Sequence, residues 1–327
     1  MNYRENTLRT LRCEPNEWIP NFFTDKNLIV SSCMRDYVLG PAGTKDWFGV
    51  EWTDRIPTPG TRRLSDITAW REEIEFPDLD AIDWESAAER DLAGTNPELI
   101  NNISIAYLLF ERLHAFVGFE DALTYLLTEP EATMEFFTAL TDFRCREIEK
   151  IGKHYKPDLL TGLDDWGYEK GMFMSLPVWR EMIKPHMARI VQCVHDNGML
   201  YEHHSCGYIQ PLVGDLVEIG VDALDPVQGK NDIFELHRQY GDRLCLIGGF
   251  DNQRILDQQT PDEDAVLELR RVLEPMRGET GYGMFWVCQR MDRVQLATDI
   301  STSSTPTRCA ARASRPCRCR RCRDSRR

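Results

Sequence analysis

A chain of 327 residues, 42% hydrophobic and 28% charged, has the composition of an ordinary globular protein, and its length admits one barrel domain of about 250 residues or two small domains. Its formal charge of −14 repels a phosphate backbone, which argues against general nucleic-acid binding, and no apolar run approaches the roughly 18 residues of a membrane span. Residues 1–18 hold no apolar signal core, so the expectation is a cytoplasmic protein whose eleven cysteines are thiols or metal ligands.

Along the chain, the first 120 residues resist assignment to regular units. They are rich in Trp and Pro, carry an acidic stretch over 72–89, and offer residues 28–32 as a first strand. Apolar residues at three- and four-residue spacing then predict helices over 105–116 and 122–149. From there short apolar runs alternate with amphipathic stretches. Strands are expected at 158–162, 199–204, 221–224, 244–248 and 282–287, and helices at 176–197, 209–219, 233–240 and 261–276. Gly198 and Gly220 stand where a left-handed cap would close two of those helices. These five strand-helix units, with no GxGxxG fingerprint, predict an α/β fold of the closed (β/α)8 TIM type and not a dinucleotide-binding sheet.

The expected barrel domain spans residues 1–289. Residues 290–327 differ in kind, with eleven Arg, three Asp and no Gly, Lys or aromatic residue, a formal +8 that leaves −22 on the rest. Four of the cysteines, Cys309, Cys317, Cys319 and Cys322, lie there. This stretch reads as disordered, either a basic arm or the product of a frame-shifted gene end, in which case barrel closure is incomplete or aberrant.

In a parallel barrel the working residues gather at the C-terminal ends of the strands. Those ends here carry Asp164 and Asp165, His204 and Cys206, Asp225, Asp251 and Asn252, and Cys288. His204 and Cys206 share one side of an extended segment, so both can reach one ion, and imidazole with thiolate suits zinc. Cys288 is the natural third ligand, leaving a fourth position open. The plainer reading makes the first pair a buried polar strand end and Cys288 a small core residue. Of the two adjacent acids only one can face the mouth. Asp165 is preferred there as the catalytic group, although both could cap the next helix. Asp225 precedes Pro226, so it either binds substrate or serves a turn, and Asp251 with Asn252 follows two glycines, a ligand loop or a tight turn. Trp166, Phe250 and Trp286 near strand ends suit an aromatic substrate or the core, and His203 points to the opposite face as a structural residue.

Over residues 159–288 the sequence resembles the uroporphyrinogen decarboxylase superfamily. The resemblance rests on Leu163-Asp164-Asp165-Trp166-Gly167, Met182-Ile183-Lys184-Pro185-His186, Glu202-His203-His204-Ser205-Cys206-Gly207, the run from Glu218 through Gln228, Gly241-Asp242-Arg243, and Ile247-Gly248-Gly249-Phe250-Asp251. Two departures favour its cobamide-dependent methyltransferase branch. No Arg-Gln-Ala-Gly-Arg element for substrate carboxylates occurs over residues 1–60, and Cys288 replaces the second histidine of the last-strand element. The resemblance implies zinc held by His204, Cys206 and Cys288, and methyl transfer between a small substrate (a methoxylated aromatic, a thiol or another methylated compound) and the cobalt of a corrinoid on a partner protein. It implies no nucleic-acid or membrane partner. The alternatives are a porphyrinogen decarboxylase and a non-catalytic member of the same fold.

Overall fold

The computed structural model describes residues 1–36, 41–54, 56–286 and 290–302. Among the described residues, seven strands form one parallel sheet in chain order: β1 (Lys26–Ile29), β2 (Ile100–Ile105), β3 (Leu159–Leu163), β4 (Leu200–His204), β5 (Ala223–Val227), β6 (Cys245–Gly248) and β7 (Tyr282–Gly283). All residues of β5 and β6 are buried, as a parallel sheet covered on both faces requires. The intervening helices pack outside, and the sheet curls into a TIM-type architecture.

The seam lies between β7 and β1. Residues 20–22 run beside β7 through a parallel bridge from Asn21 to Met284, with the Phe22 amide donating to the Met284 carbonyl at 3.0 Å. A turn held by the Thr24 and Asp25 amides on the Asn21 carbonyl then feeds the chain into β1, which pairs with β2. One short stretch of chain therefore touches both edges of the sheet.

Several expectations need correction. β2 was unreadable because Asn101 and Asn102 interrupt its apolar run; Asn102 is wholly buried and donates to Thr161 Oγ1 at 2.7 Å. Ile105 closes that strand, so the helix placed at 105–116 is α1, Phe110–Val117. The helix expected at 122–149 is two, Phe119–Thr128 and α2, Pro130–His154, because Pro130 starts a new helix at the position where its missing N–H costs least. Pro185 likewise divides 176–197 into Leu176–Met182 and α3, Lys184–Asp196. Gly198 and Gly220 do adopt positive φ, 77° and 86°.

Residues 291–302 are not a disordered tail. They form α5 (Met291–Thr302), packed on α4 (Asp262–Met276) with Val294, Ala297 and Ile300 buried. Residues 303–327, with Cys309, Cys317, Cys319 and Cys322, lie outside the described residues. Asn21 Nδ2 donates to Thr298 Oγ1 at 2.7 Å, so α5 also backs the seam. Arg293 is 1% exposed and donates to the carbonyls of Ile255, Leu256 and Thr260 at 2.6–2.8 Å. Removing it takes a charged donor from all three carbonyls, that of Leu256 being buried. Arg293→Ala should lower unfolding free energy by about 2–4 kcal/mol in urea titrations, and an unchanged midpoint would show that α5 contributes nothing to the fold.

Candidate metal centre

β3 and β4 run side by side with Leu163 opposite His204, and β4 pairs with β5 so that His204 lies opposite Asp225. Three neighbouring strand ends thus deliver Asp165, His204 with Cys206, and Asp225 to one place. His204 Nε2 is 3.7 Å from Cys206 Sγ. A carboxylate oxygen of Asp165 joins them, all three ligand atoms lying within 4.8 Å of one another. For metal bonds near 2.0 and 2.3 Å, the nitrogen-to-sulfur edge of a zinc tetrahedron is about 3.6 Å. The donor set and its spacing therefore fit zinc.

The rest of the ring is already oriented. His204 Nδ1 lies 3.2 Å from Asp225 Oδ2, which fixes the proton on Nδ1 and turns Nε2 toward the sulfur, the arrangement that supports a metal-bound imidazole. Burial opposes a charged ring, yet Asp225 and the thiol hold the free His204 imidazole well above its usual range. Burial pushes the Cys206 thiol up, with His204 pulling the other way. The Cys206 amide donates to Asp165 Oδ1 at 2.7 Å, so the backbone of Cys206 is tied to that acid.

The Ser205–Gly207 turn is wired from outside. Gly207 N donates to Gln228 Oε1 at 2.7 Å, Asn231 Nδ2 donates to the Gly207 carbonyl at 2.9 Å, and Trp166 N donates to Ser205 Oγ at 3.0 Å. Gly207 has φ +83°, and a Cβ there would stand 2.3 Å from the Gly167 carbonyl carbon. Only glycine lets the two strand-end loops approach this closely.

Beneath the centre lies a polar layer. Asn102 of β2 donates to Thr161 of β3, whose hydroxyl donates to Glu202 of β4 at 3.1 Å, and Lys26 of β1 stands 3.5 Å from Glu202. Burial pushes the Glu202 carboxyl up to about 7.

The remaining predicted residues separate. Asp164 is wholly buried and accepts from the Phe110 and Glu111 amides at 3.1 and 2.8 Å, capping α1, so Asp165 is the acid at the mouth. Burial raises Asp164 to about 6. Asp225, 4% exposed, lies behind His204, with Oδ2 3.2 Å from the ring Nδ1. Trp166 does not reach the cleft either: it is buried, stacked on His203 at 4.0 Å and edge-on to Trp179 at 5.1 Å. Phe250 and Trp286 are buried against each other. Asp251 caps the π-helical turn Asn252–Leu256 and lines a small pocket of about 110 Å³. Asn252 lines that pocket and also a cleft of about 410 Å³ that opens on Cys206, along with Tyr168, Gln228, Gln253 and Gln258. Cys288 lies outside the described residues.

Sequence reading missed Glu111. From the first turn of α1 it reaches the acids at the mouth; burial, then Asp165 and Asp164, drives its carboxyl well above the usual range. Its one signal was an acid in the first turn of a helix. Tyr168, half exposed on the cleft wall, was also missed, its neighbour Trp166 having the more conspicuous side chain.

A family model described as uroporphyrinogen decarboxylase (URO-D) matches residues 113–291, more than half of the chain. Among solved structures the fold is similar to that of a methyltransferase from Methanosarcina mazei, with a TM-score of 0.64 over 92% of this chain and 99% of that one, at 12% identity. That likeness speaks to the fold. No curated protein matches.

Two outcomes follow from the geometry. Asp225→Asn, which keeps the shape and removes the charge behind His204, should weaken zinc binding about 10–100-fold in chelator competition; unchanged affinity would mean that Asp225 does not support the ring. Because Cys206 and His204 both lie above their usual ranges and must lose protons to bind a cation, zinc affinity should rise with pH, by about tenfold per unit for each proton released. A flat profile between pH 6 and 8 would contradict that assignment.

Proposed function

The chain belongs to the uroporphyrinogen decarboxylase family, and from that premise we propose that it is a zinc-dependent methyltransferase moving a methyl group between a small substrate and the cobalt of a corrinoid carried on a partner protein. The observation that carries this reading is the soft donor pair: an imidazole nitrogen and a thiol sulfur 3.7 Å apart, the imidazole held from behind by a carboxylate. His204 and Cys206 would hold the zinc, with Asp165 in reach and Cys288 proposed as a further ligand. When bound, zinc would keep a thiol acceptor ionised near neutral pH or polarise an ether oxygen of a methyl donor.

The chain's own residues supply the rest. Asp225 fixes the tautomer of His204, and Asp165 holds the Cys206 amide and so the position of its sulfur. Glu111, with its carboxyl pushed above the usual range by burial, would keep a proton beside the mouth and give it to an oxygen left behind when a methyl group departs. A cleft of about 410 Å³ suits a small substrate. A corrin must then be presented across the mouth from outside. The cleft wall is amide-rich, with Gln228, Asn252, Gln253 and Gln258, and Tyr168 offers one aromatic face to a methoxylated ring.

Decarboxylation of a porphyrinogen is the second reading, favoured by the description of the family itself. The electrostatics weigh against it. A polycarboxylate would meet Asp165, with Glu111 beside it, and among the described residues no arginine lines the larger cleft.

The purified chain should carry one zinc per protein, and His204→Ala and Cys206→Ala should each lose it by elemental analysis. Methyl transfer to or from cobalamin, followed by its visible spectrum, should fall at least a hundredfold in both variants. Metal content unchanged in both, or carbon dioxide released from uroporphyrinogen by the metal-free chain, would overturn the proposal.

A further inference from the structure

Six cysteines among the described residues are free thiols. Cys206 belongs to the metal centre, and Cys245 is sealed inside the barrel. Cys145 and Cys193 stand apart from both. Each is half-buried on the outer layer, one on α2 and the other on α3, two helices packed against each other. Cys193 Sγ donates to the Cys145 carbonyl oxygen at 3.4 Å, which brings its sulfur onto the Cys145 backbone. Neither lines the cleft.

The surroundings make the two thiols unequal. Arg189, one turn before Cys193, donates to Asp142 at 2.5 Å, almost one turn before Cys145, so this second cross-link holds the helices in register beside the sulfurs. The neighbouring Cys193 thiol, then the Arg189 charge, draw the Cys145 thiol below its ordinary range. The Arg189 charge favours the thiolate form of Cys145, which makes that sulfur the nucleophile of the pair.

We propose that Cys145 and Cys193 form a two-thiol redox site, which an oxidant of the peroxide class closes into a disulfide bridging α2 and α3. In the first step the Cys145 thiolate attacks one peroxide oxygen, the O–O bond breaks, hydroxide leaves, and Cys145 becomes a sulfenic acid. Cys193 then attacks that sulfur, the S–O bond breaks, water leaves, and the disulfide forms. The two thiols give up two electrons; hydroxide takes up the proton that Cys145 had lost, so one peroxide yields two waters. The bridge has consequences for the barrel, because α2 leads into β3, which ends beside Asp165, and α3 leads into β4, which ends at His204. Oxidation would tie together the two helices that precede the strands carrying the metal centre.

The test uses the reduced full-length chain, exposed to hydrogen peroxide, blocked with iodoacetamide, digested and mapped by mass spectrometry. The expected product is one peptide pair joining Cys145 to Cys193, lighter than the reduced pair by two hydrogens and separated again by dithiothreitol. In Cys193→Ser the expected product is a dimedone adduct on Cys145. Recovery of both as alkylated thiols in the wild-type chain, or either sulfur joined to a different cysteine, overturns the proposal. The wild-type map decides this without the variant, so a Cys193→Ser chain that fails to fold does not obscure the answer.

Discussion

One imidazole, clamped between a carboxylate and a thiol, organises the mouth of this barrel. His204 can present Nε2 to Cys206 only because Asp225 occupies Nδ1, and Asp225 can do so only because β4 and β5 are paired with those residues in register. The backbone of a parallel sheet thus sets the geometry of the candidate metal centre. Side-chain packing contributes the rest: Trp166 stacked on His203 fills the space on the far side of β4, so the strand has no freedom to turn.

The barrel concentrates acid where it is costly. Glu111, Asp164, Asp165, Glu202 and Asp225 lie within or beside the mouth, and burial raises several of them. Three of them find different compensations. Asp164 takes the amides at the start of α1, Asp225 takes the His204 ring, and Glu202 has Thr161 and Lys26. A bound cation would lower the electrostatic cost of the remainder, since a divalent ion becomes the largest local charge. Fold and proposed chemistry are linked in this way, because the same carboxylates that strain an apo barrel favour a loaded one.

Much of this was legible in the residues. Strand ends from Leu159 onward announced themselves by apolar runs ending in acids, histidine or glycine, and the i, i+2 spacing of His204 and Cys206 on a strand already implied a shared side. What could not be read were properties of tertiary context. Asn101 and Asn102 look like loop residues until a barrel interior supplies Thr161 as partner. The prolines at 130 and 185 divide helices whose apolar periodicity runs straight through them. Glu111 is one acid among many until α1 is docked against β3, and the contact of Asp225 with His204 appears only once the register puts the two side by side. The arginine-rich end misled in the opposite way, since its composition concealed Val294, Ala297 and Ile300 on one face of α5.

The most direct measurement is the zinc K-edge absorption spectrum of the zinc-loaded chain, which reports the atoms around the ion and not merely its presence. The account requires sulfur scattering near about 2.3 Å together with nitrogen or oxygen near about 2.0–2.1 Å, the sulfur contribution falling in Cys206→Ser. A shell of oxygen and nitrogen alone, or a sulfur contribution unchanged in Cys206→Ser, would contradict it.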